Sequence, residues 1–511
     1  MAQGYTQQFG LDYGETFSHV VKHTTVRLVL ALAASNTWKL RQLDVKNAFL
    51  HGELKEDVFM KQPKGFVSRD YPSYVCKLQK SLYGLKQAPR AWNEKFTSFL
   101  PALGFQYSHS DPSLFVKAAD GYVVILLLYV DDIILTGNDD GVVQSVIDEL
   151  SAVFDLKDMG VLTYFLGLEI SYQKHSLFVS QAKYARDLVA RAGMAGCKSW
   201  STPCLPNKHL LPTDGEPLSN PTLYRSLVGA LQYLTFTRPD IAYAVNTACQ
   251  FMTRPTDVHM VAVKRIIRYV QGTLTYGLKY VSSPTDLVAY SDADWGGDPA
   301  TRRSTTGFVV FLGSNVISWQ SKKQPTVSRS STEAEYRVLA NTAAELFWIR
   351  QVLCALHVDL PHPPLIHCDN LSAIALSSNA VFHSRIKHLD TDYHFVRERV
   401  QKKDLYIQFV TSEEQVADIL TKGVGTAVFE QHCSNLHLGT QVKIRWSNCH
   451  AKIRQLSFRC SHIFREGNVV ADKMANLGLS NSSFTWYDTP PNEFQSYLHA
   501  DYLGYPNYRF S

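Results

Sequence analysis

No two of the nine cysteines form a Cys-x-x-Cys pair, which removes the commonest zinc and dithiol motifs. Cys449 with His450 and Cys460 with His462 match no common zinc spacing either. The chain opens without a secretory leader, so reduced thiols in an intracellular compartment, cytoplasmic or nuclear, are expected. Apolar runs are short. The longest, inside Val123–Gly137, falls well below the roughly 20 residues of a membrane-spanning helix, and no membrane partner is expected. Charge of one sign is scarce as well. A net +5 on 511 residues creates no strong overall field, so any nucleic-acid contact has to come from local basic surfaces. What remains is an ordinary globular composition on a chain too long for a single core, and roughly two to four domains are expected.

Within that background Val123–Gly137 stands out, because two apolar, β-branched runs are interrupted by Asp131 and Asp132. Each run is long enough for one buried strand, so the stretch predicts a β-hairpin with both carboxylates at its tip. Carboxylates this close repel each other unless a cation holds them, and a divalent metal is the natural partner. A bare Asp-Asp is more often an ordinary turn; Tyr129 and Val130 ahead of it, between apolar strands, make the pattern more specific. Upstream, alternation in Trp38–Leu50 puts Leu40, Gln42 and Asp44 on one strand face with Asp44 at its end. Asp44, Asp131 and Asp132 together supply the acids of a two-metal phosphoryl-transfer site.

Helical spacing is read over Thr24–Ala34, Gln181–Gly193, Tyr224–Thr235 and Asp257–Gly272, with a loop rich in proline and small polar residues over Ser201–Pro221. Lys264, Arg265 and Arg268 share a face of the last helix. They read equally well as phosphate contacts or as a solvated face. Past Pro284 the pattern becomes strands at Leu287–Ser291, Thr306–Leu312 and Val316–Gln320, then a long helix at Thr332–Leu356. A strand at Leu365–Cys368, a short helix to Ser377, a helix over Lys387–Gln401, a strand at Leu405–Val410 and a helix at Glu413–Leu420 complete it. His383, His388 and His394 read as exposed histidines rather than metal ligands.

The segments Gln42–Leu50, Tyr83–Trp92 and Tyr129–Asp132 resemble copia-type LTR-retrotransposon reverse transcriptase, in the same order, and the resemblance runs from Gly4 to about Gly423. Tyr290–Asp294, Ser331–Tyr336, His367–Asn370 and Gln415–Asp418 resemble the ribonuclease H domain of the same elements. The fold class implied is α/β and α+β multidomain: a right-hand polymerase palm with partial fingers over 1–175, a helical thumb or connection over 176–283, and a ribonuclease H-like mixed-sheet domain over 284–423. The family places Asp44 and Asp131 as a metal-bridging pair with Asp132 as the third acid, and Phe49 under the incoming sugar. Tyr83 and Lys86 fall in the segment against template and nucleotide, and Phe165, Leu166 and Gly167 in a primer-grip hairpin. In the second centre alignment of the flanks selects Asp292, Glu335, Asp369 and Asp418 over the neighbours Asp294 and Glu333. The activity implied is RNA-directed DNA polymerase with ribonuclease H, two Mg²⁺ per active site, and RNA template, DNA primer, RNA–DNA hybrid and dNTPs as partners; oligomeric state is left open.

Two features qualify that expectation. Copia-type enzymes carry a basic fingers segment ahead of the position of Gly4, and without it primer extension is expected to be impaired. The alternative is a catalytically defective remnant that only binds nucleic acid. Past Gly423, Phe464–Asn476 resembles the final helix of a different, plant ribonuclease H-like domain, leaving Asp472 without its partner acids. Residues 424–511 are therefore expected to be a tail, partly ordered at best or docked on a neighbour.

Overall fold

The computed structural model describes residues 2, 4–119, 121–174, 176–206, 208–378 and 390–440, all of which belong to one compact unit spanning Met1–Ile444. His383, His388, the Cys449 and Cys460 pairs, and Phe464–Asn476 with Asp472 lie outside the described residues.

The Val123–Gly137 stretch is a hairpin of strands Tyr122–Tyr129 and Asp132–Gly137. It forms the middle of a six-stranded antiparallel sheet, in the order 106–107, 114–119, 122–129, 132–137, 41–45, 156–161. One face is covered by helices Ala88–Phe99 and Asp140–Val153, through Trp92, Phe96, Val143, Val146, Ile147 and Leu150 packed on Leu43, Leu126, Leu128, Ile133 and Leu135. Asp139 starts the second helix by accepting from the amides of Gly141 and Val142. The opposite face meets helix His23–Asn36, which is buried from Thr24 to Ala34 on every side. A helix apolar all round belongs inside a molecule rather than on its surface.

A five-stranded antiparallel sheet follows, in the order 438–439, 277–281, 176–180, 168–173, 164–165, beside helices Ala182–Arg191, Thr222–Leu234, Ala242–Cys249 and Asp257–Gly272. A boundary at 175 thus falls inside a hairpin, since Glu169 pairs with Ser180 and Gln173 with Ser176. Ser176–Ser180 is buried at every position, so it carries no alternation to announce a strand. A boundary at 423 is also displaced. Helix Thr426–Asn435 and strand Leu438–Gly439 complete this sheet, burying Phe429, Cys433, Leu436 and Leu438, so 424–440 is part of the fold and not a tail.

The third sheet runs 315–323, 305–312, 287–294, 365–368, 406–409, with the first three strands antiparallel and the last two added in parallel. Helix Ser331–Ala355, capped by the Ser330 hydroxyl on the Glu333 amide, crosses it. This is the ribonuclease H strand order that the second half of the chain leads one to expect. The mixed α/β and α+β character with several sheets is the one the chain adopts, its three larger sheets packed within one compact unit.

Candidate active sites

The first centre is assembled by strand register. Strand Arg41–Val45 pairs antiparallel with Asp132–Gly137 so that Asp44 stands opposite Asp132, and opposed residues of an antiparallel pair project from the same face. Asp131 sits in the two-residue turn with Val130, its carbonyl accepting from the Val45 amide at 2.9 Å. Val130 takes a positive φ of 55°, an unfavourable conformation for a β-branched residue. Two contacts hold it there. The Trp92 indole N–H donates to the Val130 carbonyl at 2.6 Å, and the strands on either side are locked into the sheet. Gln42 donates its amide to Asp132 Oδ1 at 3.4 Å. Burial raises the Asp132 carboxyl above its ordinary range; the Gln42 bond opposes the rise, and Asp131 and Asp44 add to it.

The aromatic rings of Phe49 and Tyr83 lie together, centroids 4.6 Å apart. Burial, with the charges of Asp131 and Asp44 close by, raises the Tyr83 hydroxyl pKa. Lys86 is committed inside the chain: its ammonium donates to the Gln7 carbonyl at 3.2 Å and to the Tyr13 hydroxyl at 3.1 Å. Phe165 is a core residue, 1% exposed. Leu166 and Gly167 form the turn between strands Tyr164–Phe165 and Leu168–Gln173, both at positive φ as a two-residue hairpin turn of the primed type requires. Tyr233 donates its hydroxyl to the Leu166 carbonyl, and a Cβ on Gly167 would stand 2.5 Å from that hydroxyl.

On helix Asp257–Gly272, Lys264 is exposed while Arg265 bonds the Thr202 hydroxyl at 2.9 Å and stacks 4.4 Å from the Trp200 ring. Arg265 therefore ties down the 200–202 loop, which leaves Lys264 and Arg268 as the accessible part of the basic stripe. All three border a cleft of about 640 Å³ shared with Lys208 and Tyr243.

The second centre gathers its acids from four elements. Asp292 is on the central strand Leu287–Asp294, Glu335 on helix Ser331–Ala355, Asp369 just after strand Leu365–Cys368, and Asp418 in the 3₁₀ turn Val416–Leu420. Glu335 Oε1 accepts from the Ala293 amide at 3.1 Å, and Asp369 Oδ2 accepts from the Ser412 hydroxyl at 3.1 Å. Burial raises the carboxyl pKa of Asp292, Glu335 and Asp418; Lys422 opposes the rise in all three, the charge of Asp369 adds to it in each, and a hydrogen bond with Asp292 tempers it at Asp418. The neighbour Glu333 is occupied elsewhere, accepting from Arg337 and from the Arg329 amide at 2.8 Å each. His394 is exposed.

The model of the reverse transcriptase (RNA-dependent DNA polymerase) family matches residues 1–206. The chain is 50% identical over 437 residues to the retrovirus-related Pol polyprotein from transposon RE1 of Arabidopsis thaliana, covering 85% of this chain and 30% of that protein. It is 33% identical over 308 residues to the putative transposon Ty5-1 protein of Saccharomyces cerevisiae, covering 60% of this chain and 100% of that one. The chain belongs to the copia-type retrotransposon reverse transcriptase family. It spans 30% of the length of the RE1 polyprotein and corresponds to its reverse transcriptase region. Among solved structures this copia-type chain resembles the foamy viral protease-reverse transcriptase in complex with RNA/DNA hybrid, at 12% identity and a TM-score of 0.39, over 73% of this chain and 44% of that one.

The copia-type chain also contains supporting residues to which the sequence assigned no role, Gln415 among them although it opens the Gln415–Asp418 motif. Gln415, fully buried, donates to the Ser291 carbonyl at 3.0 Å, and the Thr421 hydroxyl donates to Asp292 Oδ2. Gly307, the register partner of Asp292, leaves room for the 416–420 turn: a Cβ there would stand 3.0 Å from Leu420 Cβ and nearer still to the Thr421 methyl. Lys422 reaches back to Asp418 at 2.9 Å, and its i,i+4 spacing was the one legible signal among these. The donor set suits a hard divalent cation. Glu335 Oε2 is buried with no hydrogen-bond partner among the described residues, and ligand atoms of Glu335, Cys368 and Asp369 lie within 4.8 Å of one another. Burial raises the Cys368 thiol well above its ordinary pKa, so the carboxylates are the donors available to Mg²⁺.

Proposed function

We propose that this chain carries out RNA-directed DNA synthesis at the Asp44, Asp131 and Asp132 centre, and cleaves the RNA strand of an RNA–DNA hybrid at the Asp292, Glu335, Asp369 and Asp418 centre. The observation that carries the reading is the register that sets Asp44 opposite Asp132 with Asp131 in the adjoining turn. Each carboxylate set would hold two Mg²⁺, which when bound supply Lewis-acid activation of the attacking oxygen and charge neutralisation at the leaving one. The protein's own part is positioning. Trp92 fixes the hairpin tip, Gln42 orients Asp132, and the Phe49–Tyr83 pair offers an apolar wall on which a deoxyribose fits and a 2′-hydroxyl is excluded. Tyr233 sets the 166–167 turn against which a primer end would rest. In the second centre Thr421 and Ser412 orient Asp292 and Asp369, while Glu335 keeps a free oxygen for a cation. Lys264 and Arg268 supply backbone phosphate contacts.

The test uses primed RNA template with dNTPs and, separately, a labelled hybrid, both with Mg²⁺. Asp131→Asn is expected to lower extension by about a hundredfold or more, the scale of losing charge stabilisation in a transition state, while leaving hybrid cleavage intact. Asp369→Asn is expected to do the reverse. Loss of both activities in either variant, or of neither, refutes the assignment of two separate centres.

A further inference from the structure

The second centre contains a cation of its own. Lys422 Nζ lies 2.9 Å from Asp418 Oδ1 and 3.8 Å from Asp292 Oδ2. Both acids are nearly closed off, 7% and 3% exposed, whereas the lysine side chain is 41% exposed. The geometry is that of a tether. Lys422 follows the 416–420 turn directly, and the Thr421 hydroxyl pins the chain to Asp292, so the ammonium is carried to the carboxylates by the element that supplies Asp418. Its remaining face is open to solvent, and four flexible methylenes let it swing away without moving the backbone.

A buried pair of carboxylates needs a counter-charge. The one ammonium of Lys422 reaches both acids, while Glu335 Oε2 stays buried with no hydrogen-bond partner among the described residues. Two cations cannot share the same lone pairs at contact distance, so an ion entering between Asp292 and Asp418 has to push the ammonium aside.

We propose that Lys422 is a placeholder cation, neutralising Asp292 and Asp418 when no divalent ion is bound and competing with that ion for them. Lys422 thereby weakens metal binding at this centre and stabilises the metal-free fold. The inference rests on reading the centre as a divalent-cation site, and the two are separable by experiment.

Mn²⁺ alone is titrated calorimetrically into the full chain carrying Asp131→Asn, so that the first centre contributes little. Adding Asp369→Asn should then remove most of the remaining binding; if it removes none, the metal-site reading itself fails. With that control in place, adding Lys422→Met should tighten Mn²⁺ binding about tenfold, and thermal unfolding in EDTA should occur at lower temperature than with Lys422 present. Unchanged or weaker Mn²⁺ binding overturns the placeholder role while leaving the metal site standing. Lys422→Arg guards against misfolding of the neutral variant. Its guanidinium can grip both carboxylates in a fork, so Mn²⁺ binding should weaken severalfold, and unchanged binding counts equally against the proposal.

Discussion

Trp92 links the two motifs of the polymerase half at the level of one hydrogen bond. Its ring belongs to the core that helix Ala88–Phe99 buries on the palm sheet, and its N–H reaches the one backbone carbonyl next to Asp131, at Val130. Trp92→Phe keeps most of the packing and removes the donor. Losing a buried hydrogen bond of this kind costs about 1 kcal/mol or somewhat more, so a modest fall in Tm is expected together with a severalfold loss of primer extension and unchanged hybrid cleavage. An equal loss of both activities would mean that the residue acts through global stability alone. The motif that contains Trp92 was legible in the sequence. Its bond to a carbonyl 38 positions away was not, because periodicity reports which face a side chain occupies and says nothing of what it meets there. Lys86 shows the converse: a basic residue in a motif whose charge is answered by Gln7 and Tyr13. His23 gives the residue scale a pH signature. It opens helix His23–Asn36 as a residue still exposed at its edge, but its ring stacks on Phe236 with centroids 4.0 Å apart, and the desolvation of that covered ring, with Arg27 beside it, lowers its pKa to about 4. Between the ordinary value of 6.5 and about 4 the unfolded chain takes up a proton that the folded one refuses, so stability falls as pH falls through that window and is unaffected above it. Tm measured from pH 7 to 4 should decline less steeply in His23→Gln than in the parent chain; identical slopes would show that the imidazole is not the group responsible.

Among the elements, those with a clean period were the ones sequence could delimit. Helix Asp257–Gly272 ends where its amphipathic pattern ends, and its start is fixed by a capping box between Thr256 and His259. The Asp131 hairpin and strand Leu365–Cys368 were likewise visible as short apolar runs. Ser176–Ser180 and Leu438–Gly439 were not, because a strand buried on both faces has no alternation and one of two residues has no pattern at all. The second of these gives a direct test. A chain ending at Gly423 loses the helix that buries Phe429 and Cys433 and the strand that pairs with Gly277 and Leu278. Burial of several apolar side chains is at stake, each worth roughly 1.5–3 kcal/mol, so a large drop in Tm or insolubility is expected relative to a chain ending at Thr440. Equal stability would show that 424–440 contributes nothing to the fold. The 164–173 hairpin is held more locally. Gly167→Ala places a Cβ at a φ of 72° and against the Tyr233 hydroxyl, which should cost about 1–3 kcal/mol and lower extension more than cleavage, since Phe165 ahead of this turn packs on Tyr129 of the Asp131 hairpin.

At the scale of the molecule the deciding element is helix His23–Asn36, of which the sequence showed only helical spacing over Thr24–Ala34. Its burial on all sides follows from where it sits, between the palm sheet and the third sheet. Thr24 bonds Ser318 at 3.3 Å, and Ser318 in turn donates to Glu345 at 2.6 Å. The Arg27 guanidinium lies 3.7 Å from the centre of the Trp319 ring. Beyond the helix itself, Trp348 donates its indole N–H to the Ser110 carbonyl at 2.9 Å while the Lys22 ammonium covers its ring at 4.0 Å. Apart from the Ser318–Glu345 bond, these contacts join residues more than two hundred positions apart, and no local pattern encodes such a partner. Their consequence is mechanical. With a common core on both sides of the helix, the polymerase half and the ribonuclease H half should unfold together and keep a fixed separation between their centres. Calorimetry of a chain ending at Thr440 should therefore show one cooperative transition. Trp319→Ala, which removes the stacking partner of Arg27 and part of the shared core, should lower the stability of that single transition by about 2 kcal/mol. It should also loosen the fixed spacing, so that cleavage products formed while a primer end is held become spread in length while total cleavage persists. Two separate transitions in the parent chain, or a Trp319→Ala variant in which only the ribonuclease H half melts earlier, would show that the halves are tethered rather than fused through this helix.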